Sequence, residues 1–83
     1  MELRFLRDVD GREIDFVVIK NKKPLFAVEC KTGERALSPH LFYFRDRTDI
    51  PKFYQVHQGK KYMREDSQIE MIPFVIFARQ LEI

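Results

Sequence analysis

One cysteine, Cys30, is all that the 83 residues contain. A lone cysteine closes no internal disulfide, so a small disulfide-stapled secreted scaffold is excluded and a reducing compartment fits better. Long hydrophobic runs are missing too. "FVVI" (16–19) and "FVIFA" (74–78) are the longest, far short of the roughly 20 residues a membrane helix needs. No charged-then-apolar leader opens the sequence, so a cytoplasmic location with no membrane contact is expected. Glycine is scarce, at three residues, and no linker, repeat or low-complexity tract is visible. Neither sign of charge dominates: the net charge is +2, which permits a polyanionic partner without demanding one.

What is present is the material of a single small domain spanning 1–83. Hydrophobic residues make up 45% and charged residues 34%, too apolar for disorder. Eight Phe and three Tyr exceed what so small a core hides easily. This points to a face buried against another domain or a second copy of the chain.

Local patterns give an element order. Leu3 to Arg7 alternates apolar and charged residues, as a half-buried strand does. Asp8 to Gly11, "DVDG", reads as a tight turn. Ile14 to Ile19 is a β-branched strand, Lys20 to Pro24 a polar loop, and Leu25 to Cys30 the next strand. Ser38 is a helix N-cap and Pro39 takes the first helical position, with Leu37 and Phe42 placed as a hydrophobic staple. That helix is expected to run to about Arg47, with Leu41 and Phe44 on the sheet. Phe53 to His57 reads as a strand, and "KKYMRED" as a weak strand or loop after Gly59. Pro73 can start a terminal helix in which Phe74, Phe77 and Leu81 recur at helical spacing. The expected fold is α/β or α+β. It has a small mixed sheet, an antiparallel meander followed by a β-α-β crossover from 25–30 to 53–57, and one or two helices.

Strand alternation puts Glu13, Asp15, Val17 and Ile19 on one face, opposite Ile14, Phe16 and Val18. In the following strand Leu25, Ala27, Glu29 and Lys31 share a face, and Cys30 points the other way as a small core residue. Folding the hairpin near Lys22 sets Ile19 opposite Leu25, Val17 opposite Ala27, Asp15 opposite Glu29, and Glu13 opposite Lys31. Opposed carboxylates repel and raise a pKa. A divalent cation reverses that repulsion: Mg²⁺ takes one or two carboxylates and keeps several waters. Lys31 can then orient a water or stabilise charge on a phosphoryl oxygen. The plainer alternative is a set of cross-strand ion pairs, Glu13–Lys31 and Asp15–Lys31, on a solvated face.

Asp15, Glu29 and Lys31, in "EIDFVV" and "AVECKTGE", resemble the motif of the PD-(D/E)XK phosphodiesterase superfamily, the restriction-endonuclease-like fold. More closely, "DGREIDFVVIKNKKPLFAVECKTGE" is similar to the C-terminal domain of a family of bacterial and archaeal AAA-type ATPases, and "MIPFVIFARQL" resembles that family's closing segment. The resemblance implies a C-terminal fragment of a larger ATPase. It further implies Asp15 and Glu29 as ligands of Mg²⁺ or Mn²⁺, Lys31 as catalytic lysine, and DNA as the substrate. Many members carry a further acidic residue on a helix before the first core strand. No such helix precedes Leu3 in this sequence, so two expectations stand: Glu13, on the same face, substitutes, or the helix lies upstream and the core in these residues is truncated. A non-catalytic DNA- or protein-binding or dimerisation module of the same fold is the alternative.

Other residues are weighed alongside. Gln55 can hydrogen-bond a substrate or a metal-bound water if it lies on the active face. His57 reads as structural. The basic loop Lys20, Lys22, Lys23 and the basic turn Lys60, Lys61 can contact phosphates without reading sequence. The aromatics of "HLFYFRDR" can stack on bases, or simply pack the helix on the sheet.

Overall fold

The computed structural model describes residues 2–7 and 11–81 of the chain. The expected turn at Asp8 to Asp10 lies outside the described residues. Gly11, at its end, has φ +84°, a conformation glycine adopts without a Cβ penalty.

Strands β1 (Glu2–Arg7), β2 (Glu13–Lys20) and β3 (Lys23–Cys30) form an antiparallel meander. The β2–β3 connection is tighter than the polar loop expected from sequence. Asn21 and Lys22 are its two central residues, with φ of 54° and 65°. Positive φ at both positions is the signature of the hairpin turn whose twist matches the flanking strands. Val17 pairs with Ala27, as the sequence implied. Nearer the turn the expected register is corrected. Ile19 pairs with Pro24 rather than Leu25, because the ladder shifts between Val18 and Ile19 and the shorter turn closes on Lys20 and Lys23.

A second irregularity corrects the faces of β2. Arg4 pairs with Val17 but Leu6 pairs with Ile14, so two steps along β1 are matched by three along β2. One extra residue in a strand breaks the alternation of faces. Ile14 therefore joins Val17 in the same core cluster instead of opposing it.

Helix α1 (Pro39–Arg47) starts where the capping residues place it. The Ser38 hydroxyl accepts the His40 N–H at 3.2 Å, and Pro39 opens the helix. At the other end the Thr48 hydroxyl donates to the Phe44 carbonyl at 2.7 Å. Leu41 and Phe44 are buried on one face of the sheet, among Ile14, Val17, Ala27 and Phe53. Burying one such side chain contributes roughly 1.5–3 kcal/mol, so this cluster is the main hydrophobic support of the meander.

The α1 crossover brings in β4 (Phe53–His57), which pairs in parallel with β3. Two further strands follow. β5 (Met63–Arg64) is the weak strand expected, and β6 (Ile69–Pro73) lies where no strand was expected. β6 inserts between β4 and β5, giving the order β1-β2-β3-β4-β6-β5. All five of its residues are buried. Asp66 prepares its entry by accepting the N–H groups of Gln68 and Ile69 at 2.7 and 3.0 Å, an Asx turn. Glu70, in the middle of β6, is buried and held from three sides: by the Tyr62 hydroxyl at 2.6 Å, Arg64 at 3.1 Å and Lys52 at 3.3 Å.

Helix α2 (Phe74–Gln80) follows Pro73 directly. Its Phe77 packs on the second face of the sheet with Val28, Val56 and Ile72, and its ring meets those of Phe26 and Tyr54. Phe74 does not join them: it is 57% exposed, and Val75 and Ile76 are exposed beside it. The protein is thus a mixed α+β fold, with six strands and two helices among the described residues.

Candidate functional site

β3, β4 and β6 run parallel, and in such sheets ligand sites gather at the carboxyl ends of the strands. Glu29 and Lys31 sit at that end of β3. Glu29 is 7% exposed, and its Oε1 lies 3.8 Å from Lys31 Nζ. Its Oε2 is buried and has no hydrogen-bond partner among the described residues. A buried, unpaired carboxylate oxygen is costly. Burial pushes the Glu29 carboxyl above its usual range. Lys31 opposes that shift, Asp15 adds to it, and His40 opposes and Glu13 adds more weakly.

Asp15 approaches from β2. The β2–β3 ladder ends at Phe16–Val28, and Asp15, the next residue of β2, bonds to the end of β3. The two carboxylates repel, and Asp15 also accepts the backbone N–H of Cys30 at 2.7 Å. Lys31 is anchored through its own N–H to the Val56 carbonyl at 2.8 Å. Asp15, Glu29 and Lys31 therefore gather around the last turn of β3. Glu13 stands further out: it is exposed and its Oε2 is held by Arg7 at 3.0 Å. Among the described residues no group of three or more His, Cys, Asp or Glu side chains is arranged to hold a metal ion. The site offers one carboxylate pair among the described residues, Asp15 and Glu29.

Cys30 requires a correction. It is exposed, and lines a cavity of about 240 Å³ with Lys31, Val56, His57, Gln58 and Phe74. β3 ends at Cys30, so the side chain sits at the strand's end rather than within the packed sheet face. Although the side chain reaches solvent, partial desolvation of the thiol by its surroundings, then the charges of Asp15 and Glu29, pushes it up, which disfavours a reactive thiolate.

Gln55 is beside Glu29 in the parallel ladder and is fully buried. Its Oε1 accepts the Ser38 N–H at 2.8 Å, and its Nε2 donates to the carbonyls of Arg35 and Ala36 at 3.2 and 3.1 Å. All these bonds hold the loop between β3 and α1, so here Gln55 shapes the wall of the site. His57 is structural, as its context implied. Gly59 N–H donates to its Nδ1 at 2.9 Å, so Nε2 carries the proton and donates to the Lys61 carbonyl at 2.7 Å.

His40 was not singled out from sequence. Its Nδ1 lies 3.1 Å from the Glu13 carbonyl, and a carbonyl only accepts, so Nδ1 carries a proton. It comes to the site because α1 packs against β2, and no local motif marks that contact.

The basic groups separate. Lys20, Lys22 and Lys23 surround the hairpin turn, at the opposite end of β3 from Glu29, about 20 Å away at the usual rise per residue. Lys60 and Lys61 follow β4 at the Glu29 end. The aromatics of α1 already carry cations: Arg12 and Arg47 lie 4.2 and 3.9 Å from the centre of the Tyr43 ring, and Arg45 lies 5.2 Å from that of Phe42.

Comparisons with the curated proteins and with the solved structures give no match. A family model matches residues 1–77, and with that the chain belongs to the family described as a domain of unknown function, DUF4143, which is commonly found with AAA ATPases.

Proposed function

We propose that this domain is a metal-dependent, nuclease-like module of restriction-endonuclease-like type, acting on DNA phosphodiesters and attached to an AAA-type ATPase. The observation that carries the reading is Glu29 Oε2, a buried carboxylate oxygen with no hydrogen-bond partner among the described residues, beside a second carboxylate and a lysine. A hard divalent ion suits that pair, since Mg²⁺ or Mn²⁺ accepts one or two protein carboxylates and completes its shell with water. Glu29 and Asp15 would hold it. Such an ion polarises a phosphoryl oxygen and lowers the pKa of bound water. Lys31, half-buried at the mouth of the neighbouring cavity, stabilises negative charge on the phosphate.

The test has two parts. Millimolar Mg²⁺ or Mn²⁺ should raise the melting temperature of the wild type and leave Glu29→Gln unmoved. A ligand at about a hundred times its Kd stabilises by about 2.7 kcal/mol. Plasmid nicking should then appear with metal and vanish in Lys31→Ala. No metal response together with no nicking would sink the reading.

One observation favours a second reading, a non-catalytic module that docks to DNA, a partner protein or another copy. Leu3, Phe74, Val75 and Ile76 are exposed, and Leu3 and Phe74 border an apolar groove floored by Phe16, Phe26 and Phe77. DNA binding that weakens with salt, without cleavage, would favour this reading.

A further inference from the structure

The loop after β3 and the turn after β4 are joined by one side chain. The backbone N–H groups of Lys60 and Lys61 both donate to the same oxygen, Glu34 Oε2, at 2.6 and 2.8 Å. Consecutive amides converging on one oxygen make an anion-binding concavity of the kind that recurs around phosphates. Gly59 opens the concavity. A Cβ there would lie 2.5 Å from both Cγ and Oε2 of Glu34, so only glycine lets the carboxylate come this close. The two amides hold the Glu34 carboxyl below its usual range, so it sits there as an anion.

Glu34 is itself exposed, on a loop next to Gly33, and nothing buries it in this position. The concavity belongs to the same end of the sheet as Lys31. His57 and Gln58, which lead into it, share the 240 Å³ cavity with Lys31. The adjoining side chains are Lys60 and Lys61, both exposed and both cationic.

From this convergence we infer that the turn 59–61 is a phosphate-binding subsite, masked in the free protein by Glu34. The carboxylate of Glu34 stands in for a phosphate oxygen. A phosphate group carries more charge and three acceptor oxygens, so it displaces a singly charged, solvent-exposed carboxylate and gains the two lysines as well. Displacement releases the Glu34 side chain alone, while Gln55 keeps holding the rest of the loop through Arg35, Ala36 and Ser38. The inference needs neither metal nor bond cleavage, so it stands or falls separately from the hydrolytic reading.

The test follows the backbone amides of Lys60 and Lys61 by NMR during titration with inorganic pyrophosphate and, separately, with a short DNA duplex. In Glu34→Ala, pyrophosphate should shift both amides at a concentration at least about tenfold lower than in the wild type, because two charge-assisted hydrogen bonds no longer have to be displaced. Gly59→Ala keeps the Glu34 charge but forces its side chain out, and should show the same direction of change. Lys31→Ala should leave the amide response intact. If the duplex moves the same amides, the phosphate comes from a nucleic acid backbone. If pyrophosphate alone moves them, it comes from a small phosphate ligand. A dispersed, folded spectrum in which neither variant tightens pyrophosphate binding at Lys60 and Lys61 overturns the inference.

Discussion

The carboxylate of Asp15 accepts a hydrogen bond of 2.7 Å from the N–H of Cys30, the residue between Glu29 and Lys31. One acidic side chain of β2 thus fixes the backbone of the last residue of β3. Asp15→Ala removes that acceptor and should cost about 1 kcal/mol in urea unfolding, near the usual net worth of a hydrogen bond. Asp15→Asn keeps an acceptor and should cost less. Equal losses in the two variants would show that this bond contributes little.

Glu29→Gln should stabilise the protein at neutral pH, by about 1 kcal/mol, because a neutral amide replaces a buried carboxylate whose cost Lys31, at 3.8 Å, offsets only in part. The sign follows from linkage. The Glu29 carboxyl is raised above 4.5 in the fold, so the folded state binds more protons and stability falls as pH rises through that window. The advantage of Glu29→Gln should close as pH drops below 4.5, which melting curves at pH 4 and pH 7 would show.

Glu70 behaves in the opposite sense. Burial alone would raise its carboxyl, but the bonds from Tyr62, Arg64 and Lys52 outweigh burial and hold it below 4.5. Its contribution is present above the unfolded value and is lost as pH falls through the lower folded one. Glu70→Ala leaves Lys52 and Arg64 without their shared partner and opens a gap in a buried strand. It should cost about 2–3 kcal/mol at pH 7, less than for a fully buried pair, because water can solvate the largely exposed Arg64 that is left. The difference from wild type should shrink on acidification, read from denaturant midpoints across pH 2–7.

Lys22 holds φ 65° in the hairpin turn, a region where a Cβ is strained. Lys22→Gly should stabilise by about 0.5–1 kcal/mol, the strain relieved outweighing the added freedom of the unfolded chain. Because the turn lies at the far end of β3 from Glu29, the same variant should leave the metal response of the site unchanged.

Much of this was legible in local sequence. Ser38 and Pro39 announce α1 because capping is a local interaction. The apolar pairs of β2 and β3 fix Val17 against Ala27, since a one-residue slip would turn both strands inside out. Asp15, Glu29 and Lys31 stood out by their place within apolar strands, and their proposed roles came from the family resemblance rather than from spacing. What escaped depends on partners distant in the chain. The extra residue in β2 that turns Ile14 inward shows only against β1. β6 escaped because a five-residue segment carrying Glu70 and Pro73 lacks a strand's alternation. The bonds that neutralise Glu70 come from Lys52, Tyr62 and Arg64. The Asx turn at Asp66 was the one local clue to it. The exposure of Cys30 and the arrival of His40 beside Glu13 follow from where elements end and pack, which no short window reports.

The Ser38 N–H lies in a loop yet donates to Gln55, a fully buried side chain of the central strand. Its exchange with solvent deuterium should therefore be as slow as that of the β4 amides, although neighbouring loop amides exchange fast. The wall of the candidate site opens only when the middle of the sheet does. The loop is irregular in shape but belongs, in its fluctuations, to the core.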